Sequence, residues 1–222
     1  AGQTCIAPDY VLLPEGREEA FIAAAKAALA ACYPELAHSP DYSTVINDRH
    51  FTRLSGYLDE AREKGASVIP LSDVAADLGT RRFPPVLVRG VRDDMRVMQD
   101  EIFGPVLPIV SYRELGEAIA YVNARPRPLA LYVFDGDPAR IERVLAETVS
   151  GGVTVNDTLL HIAQDELPFG GVGPSGMGHY HGHAGFLTLS KQKAIFRQSR
   201  LSGIGLFKAP YGARFERLIR LL

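Results

Sequence analysis

Cysteine is scarce: Cys5 and Cys32 are the only two in 222 residues, too few for a disulfide framework. That shortage points to a reducing compartment, and a cytoplasmic location is expected. Charge of one sign is scarce too. With 24 Lys+Arg against 26 Asp+Glu the formal net charge is -2, which leaves no basic footprint for nucleic acid and no charged tail to define a partner. No apolar run approaches the length that crosses a bilayer, and the opening AGQTCIAPDY has neither a basic n-region nor an apolar h-region. Neither a transmembrane segment nor a secretion leader is expected. What is present, 46% hydrophobic and 23% charged residues, is enough for one good core or one large and one small domain. Its near neutrality suits a small organic substrate. The chain does not begin with Met and its most reactive residue type stands at position five, so the sequence reads as a fragment.

Along the chain, short apolar runs alternate with helical spacing. Residues 10–13 (YVLL) form a strand signal closed by Pro14, and the Ala-rich residues 17–32 follow with Phe21, Ala25 and Leu29 on one helical face. Over residues 49–64, Phe51, Leu54, Leu58 and Ala61 make a second such face, with Asn47 or Asp48 as N-cap and Gly65 beyond the C-terminus. Strands are predicted at residues 67–71, 86–91, 106–112, 129–135 and 152–156, and helices at 114–125 and 138–149. This alternation predicts an α/β fold of three layers, α/β/α, around a mostly parallel sheet. After Asn156 the chain turns glycine-rich over residues 168–178 (PFGGVGPSGMG), and AIFRQ at 194–198 is a late, isolated strand.

Chemistry concentrates first at GQTC. A thiol between a residue without a side chain, Gly2, and the start of a strand can have backbone N–H groups turned toward a carbonyl oxygen, as a nucleophile needs. A lone cysteine is more often a small buried hydrophobe. Both readings stand on the local sequence alone.

GQTC followed by APDYVLLP resembles the active-site cysteine segment of the aldehyde dehydrogenase superfamily, nearest its class-3 and coniferyl aldehyde members. INDRHF at 46–51, EIFGPV at 101–106, GVTVN at 152–156 and PFGGVGPSGMG agree in order, so the resemblance covers essentially the whole chain. It implies that Cys5 is the nucleophile, that Glu101 holds the nicotinamide ribose hydroxyls and that Phe103 lies beside the nicotinamide. A two-oxygen acceptor suits a pair of hydroxyls and an aromatic face suits a flat ring. Without the family, Glu101 reads as a solvated acid and Phe103 as core. The resemblance also places Asn156 and Phe169 at the substrate, where local reading gives a strand-ending turn residue and ordinary core.

The implied reaction oxidises an aldehyde, aromatic or medium-chain and coniferyl-like, to its acid with NAD or NADP through an adduct and then a thioester on Cys5. A free thiol titrates at about 8.5, so the site must favour the thiolate or deprotonate it on binding. In the family the dinucleotide-binding domain, the oxyanion-hole asparagine and the base glutamate precede the cysteine. The expectation is therefore a catalytic domain over residues 1–160 and a C-terminal arm over 161–222, the cofactor-binding N-terminal part being a partner outside this chain. The 222 residues alone would then hold NAD or NADP weakly and not turn over. AIFRQ resembles the family's oligomerisation strand, and an unpaired edge strand seeks another chain, so a homodimer or larger assembly is expected. Two other readings remain: a cofactor-independent cysteine hydrolase or acyltransferase using a histidine base, and a non-catalytic assembly module.

Other patterns carry less. Residues 171–176 (GVGPSG) satisfy the dinucleotide fingerprint in letters only, because no strand directly precedes them and a proline interrupts them; they read as a loop. His179, His181 and His183 alternate, but no cysteine or carboxylate close by completes a metal shell, so a solvated loop and no metal are expected. Residues 207–222 mix Lys208, Arg214, Arg217 and Arg220 with Phe215, Leu218, Ile219 and Leu221, the pattern of a short basic amphipathic helix that packs on its own protein.

Overall fold

Strand β1 (Val11–Pro14) ends where Pro14 takes a donor from the ladder, and the Ala-rich run beyond it winds into α1 (Glu18–Cys32), with two glutamates in the first turn where the helix dipole favours acids. Helix α2 (Asp48–Glu63) starts at Asn47, whose side-chain oxygen accepts the His50 N–H at 2.9 Å. It stops before Gly65, which takes the left-handed φ of 88° common just past a helix. β2 (Ser67–Pro70), β3 (Val86–Arg89), the single-turn α3 (Arg96–Gln99) and β4 (Val106–Tyr112) follow. Then come α4 (Leu115–Asn123), β5 (Ala130–Val133), α5 (Pro138–Glu147) and β6 (Gly152–Val155). The computed structural model describes residues 1–209 and 211–220.

Four strands make one sheet in the order β1-β4-β3-β2, parallel except for β2 at the edge. The period-two alternation of β3 divides the core. Val86 and Val88 pack with Phe51, Leu54, Tyr57 and Leu58 of α2, while Leu87 packs with Ile22 of α1 on the opposite face. That produces the three layers. α2 is polar except for its apolar stripe, so burial holds it in place: each fully buried large apolar side chain contributes about 1.5–3 kcal/mol, and Leu54 and Ala61 are 0% exposed.

β5 and β6 form a separate parallel pair in which Tyr132 stands opposite Thr154. Single-turn α3 lies too short for periodicity to reveal. Residues 171–176 form a tight turn bridged between Gly173 and Gly176, with no helix opening inside it. The HYHGH segment is exposed except at His181, as a solvated loop would be, but it is not all loop: Tyr180 bridges to Phe169, and Gly182 opens α6 (Gly182–Thr188). Aromatic stacking on Phe169 draws His181 inward.

Residues Ala1–Thr188 form one compact unit and Leu189–Leu222 another. In the second, residues 194–198 carry no ladder within the chain among the described residues. A 3-10 helix (Gly203–Phe207) and α7 (Ala213–Ile219) follow, with Tyr211 packed on Phe215. Leu221 and Leu222 of the expected tail helix lie outside the described residues, as do the side chains of Phe207, Arg214 and Leu218. No helix among the described residues is long and apolar enough to cross a membrane.

Candidate active site

Cys5 occupies a turn over residues 4–7, closed by the Ala7 N–H on the Thr4 carbonyl at 2.9 Å. In such a turn the two central N–H groups, those of Cys5 and Ile6, are left out of the closing bond. Neither finds an acceptor among the described residues. The thiol is free and exposed.

The turn is fixed from three directions. Gln3 donates to the Thr44 carbonyl and accepts the Ile46 N–H, both at 2.9 Å, so the segment before α2 holds the residue next to the turn. Asp9 Oδ1 accepts the Ile102 N–H at 2.9 Å. Gly2, at φ 68°, lies so close to Gly104 that a Cβ would stand 2.3 Å from the Gly104 carbonyl oxygen. The GQTC loop and the EIFGPV segment are therefore one packed unit, although 93 residues separate Asp9 from Ile102.

Phe103 sits at φ 49° and is 37% exposed, a left-handed conformation that costs a non-glycine residue about 1–2 kcal/mol and persists only where its surroundings dictate it. Those surroundings are visible. Arg53 of α2 donates to the Glu101 carbonyl at 3.0 Å and the Ile102 carbonyl at 2.6 Å, and also bonds Tyr57. Tyr57 in turn donates to Asp100 at 2.8 Å. Ile102 is buried to 1% exposure as the anchor. Burial raises the carboxyl pKa of Asp9, against the Ile102 hydrogen bond; Glu101 pushes it further up and Arg53 pulls it down. The Glu101 carboxylate is exposed and has no side-chain hydrogen bond among the described residues, and it borders a cleft of about 190 Å³ with Asp9, Tyr10, Met98 and Arg125.

Asn156 and Phe169 stand apart from this loop. Asn156, at φ 58°, ends β6 and spends its amide on Asp135: Oδ1 accepts the Asp135 N–H at 2.9 Å and Nδ2 donates to the Asp135 carbonyl at 3.0 Å. That clamps the ends of β5 and β6 together. Phe169, 6% exposed, is stacked between His161 and His181, each at 5.9 Å between ring centres. His161 is itself buried, shares a 2.9 Å hydrogen bond between Nδ1 and Thr154 Oγ1, and has no partner for Nε2 among the described residues. Its ring lies 6.0 Å from that of Tyr132, whose hydroxyl donates to the Ile6 carbonyl at 2.6 Å. A line of side chains thus runs from Phe169 to the turn that carries Cys5. Sequence reasoning missed Arg53, Asp9, Tyr132 and His161 because each acts on backbone or rings remote in sequence. Among the described residues no three histidine, cysteine or acidic side chains gather as a metal site.

Burial lowers the pKa of His161, which makes the folded state sensitive to acid. Below the ordinary histidine value of about 6.5 the unfolded chain takes up a proton that the folded chain refuses. Stability from this group is full above that value and lost as the pH falls toward the lowered folded pKa, by at most about 1.4 kcal/mol per pH unit. Urea unfolding at pH 7.5 and 5.5 should show a larger acid loss in the wild type than in His161→Asn. Equal losses in the two proteins would remove His161 as the cause.

Three comparisons bear on this geometry. The aldehyde dehydrogenase family profile matches residues 1–195. The probable coniferyl aldehyde dehydrogenase of Pseudomonas aeruginosa is 56% identical over 219 residues, 99% of this chain and 45% of that protein. A solved structure of Staphylococcus aureus AldH in its substrate-bound state superposes with a TM-score of 0.83 at 40% identity, over 100% of this chain and 47% of that one. A crystal structure of betaine aldehyde dehydrogenase from Staphylococcus aureus in complex with NAD+ gives a TM-score of 0.70 at 26% identity, over 85% of this chain and 38% of that one. The chain spans about half the length of the curated relatives it matches.

Proposed function

Because the chain belongs to the aldehyde dehydrogenase family, we propose that the protein oxidises an aldehyde to its carboxylic acid through a covalent adduct on Cys5. The observation that carries this reading is the exposed thiol in a turn packed against the 101–104 segment through Gly2 and Asp9. The Cys5 thiolate adds to the carbonyl carbon, and the oxygen gains the negative charge. The N–H groups of Cys5 and Ile6, which the turn leaves without acceptors, are the donors this chain can offer that oxyanion. Loss of hydride leaves a thioester on Cys5; water adds to it, the C–S bond breaks, and acid and free thiol are regenerated.

NAD or NADP, when bound, supplies the hydride acceptor. The residues fit such a group: Glu101 has a carboxylate uncommitted among the described residues, and Phe103 offers an exposed ring on a backbone that Arg53 and Asp9 hold just before it. Glu101 would take the ribose hydroxyls and Phe103 would confine the nicotinamide. Phe169 and Asn156 belong to the substrate side in this reading. Phe169 forms a rigid aromatic wall, and Asn156 acts through the strand ends that it clamps.

The name of the Pseudomonas aeruginosa relative supports an aromatic, coniferyl-like aldehyde as substrate. Two free thiols suit a reducing cytoplasm, and the unladdered residues 194–198 suit pairing with a second copy. No hydrogen bond joins Cys5 to a histidine among the described residues, so the histidine-assisted hydrolase gains no support. Incubation of the protein together with the proposed N-terminal cofactor-binding part, coniferaldehyde and NAD+ or NADP+ should give reduced nicotinamide and ferulic acid in equal amounts, and the 222 residues by themselves should give neither. Consumption of neither aldehyde nor cofactor by the two parts together, across aromatic and medium-chain aldehydes, would reject the reading.

A further inference from the structure

Tyr132 stands on β5 opposite Thr154 of β6, so both side chains project from the same face of the pair. His161 folds back onto that face. Its ring bonds Thr154 through Nδ1, its backbone N–H donates to the same hydroxyl at 3.3 Å, and it packs 6.0 Å from the Tyr132 ring. Gly152, two residues before Thr154, leaves the room this requires, because a Cβ there would stand 2.6 Å from the imidazole Cδ2. Phe169 closes the other side of the imidazole. The phenol is thus backed by a buried, bonded ring. Its hydroxyl reaches across 126 residues of sequence to the Ile6 carbonyl, at 2.6 Å.

That carbonyl belongs to the turn presenting Cys5. Fixing it restrains the turn on the side that Gln3 and Gly2 do not reach, and so restrains the directions of the Cys5 and Ile6 N–H groups. We infer that Tyr132, backed by His161 and Thr154, is a positioning residue that holds the 4–7 turn with its backbone donors aimed for the oxyanion formed on attack by Cys5. The inference rests on Cys5 being the nucleophile. Burial raises the Tyr132 phenol pKa, a Leu159 backbone hydrogen bond opposes this, and a charge on Cys5 adds to the rise, consistent with a neutral phenol close to the sulfur.

Two reactions of the same thiol separate this role from others. Alkylation by iodoacetamide forms an S–C bond and expels iodide, with no oxyanion to stabilise. Acylation by p-nitrophenyl acetate forms a thioester and expels p-nitrophenolate through a tetrahedral oxyanion. Both are read by mass on the Cys5 peptide, with exposed Cys32 as internal standard. Tyr132→Phe keeps the ring and removes the hydroxyl. It should slow acylation by about tenfold to 100-fold and leave alkylation and the thermal midpoint nearly unchanged. His161→Asn, which keeps the hydroxyl but loses its backing ring, should give a smaller loss of the same kind and serves if Tyr132→Phe folds poorly. Unchanged acylation, or equal slowing of both reactions, overturns the positioning role alone. A wild-type Cys5 that takes no acyl group overturns the nucleophile assignment and this inference with it.

Discussion

Cys5→Ser, with the proposed N-terminal cofactor-binding part present, is expected to lower aldehyde-dependent formation of reduced nicotinamide by at least about 10³-fold while leaving the protein folded. Thiolate is an intrinsically strong nucleophile, and it forms at neutral pH far more readily than an alkoxide does. A serine hydroxyl ionises far less readily and needs an adjacent base, and no side chain among those described hydrogen-bonds to Cys5. Truncating sulfur to oxygen at an exposed position opens no cavity, so unfolding free energy should change by no more than about 0.5 kcal/mol. Cys32 supplies the control: it is exposed at the C-terminal end of α1 and belongs to none of the motifs that carry the family resemblance, and Cys32→Ser should keep full activity. Steady-state rates for the two variants, with circular dichroism to confirm folding, decide the matter. Retention of more than a tenth of the wild-type rate by Cys5→Ser would remove Cys5 from the chemistry.

The fold was legible wherever local rules act over a few residues. The stripe of Phe51, Leu54, Leu58 and Ala61, the Asn47 cap and Gly65 place α2 to within a residue at each end. β3 and β4 begin where their apolar runs do. What sequence could not give was pairing across distance, so the separation of β5 and β6 from the larger sheet was invisible. The site divides in the same way. Cys5, Glu101 and Phe103 were proposed through motifs, because each occupies a fixed place in a short pattern. Arg53, 48 residues from the carbonyl it holds, and Tyr132, 126 residues from its acceptor, sit in patterns that read as an ordinary helix and an ordinary strand. At Asn156 the local reading as a strand-ending residue describes its bonds to Asp135, and the substrate-side role is what the family motif proposes.

Gly2→Ala should reduce kcat/KM by about 100-fold, since displacing a reacting group by about 1 Å costs that much. Two effects combine at this position. The φ of 68° costs an L-residue about 1–2 kcal/mol, and the added methyl would lie 2.3 Å from the Gly104 oxygen. Gly104 has little room to retreat, because even a Cβ on it would stand 2.6 Å from Leu54 Cδ1, and Leu54 is 0% exposed. Phe103 before it is held left-handed by the bonds of Arg53 and Asp9 to its neighbours. The nucleophile loop must therefore move, and Cys5 with it. Gly16 separates strain from displacement: it has a φ of 80° with nothing within 4 Å of an added Cβ. Gly16→Ala should lose about 1–2 kcal/mol of stability and keep its kcat/KM. Because the thiol stays exposed, Gly2→Ala should still be alkylated at Cys5 by iodoacetamide. If Gly2→Ala and Gly16→Ala show the same kcat/KM, contact between the GQTC loop and the 101–104 segment does not set the position of the nucleophile.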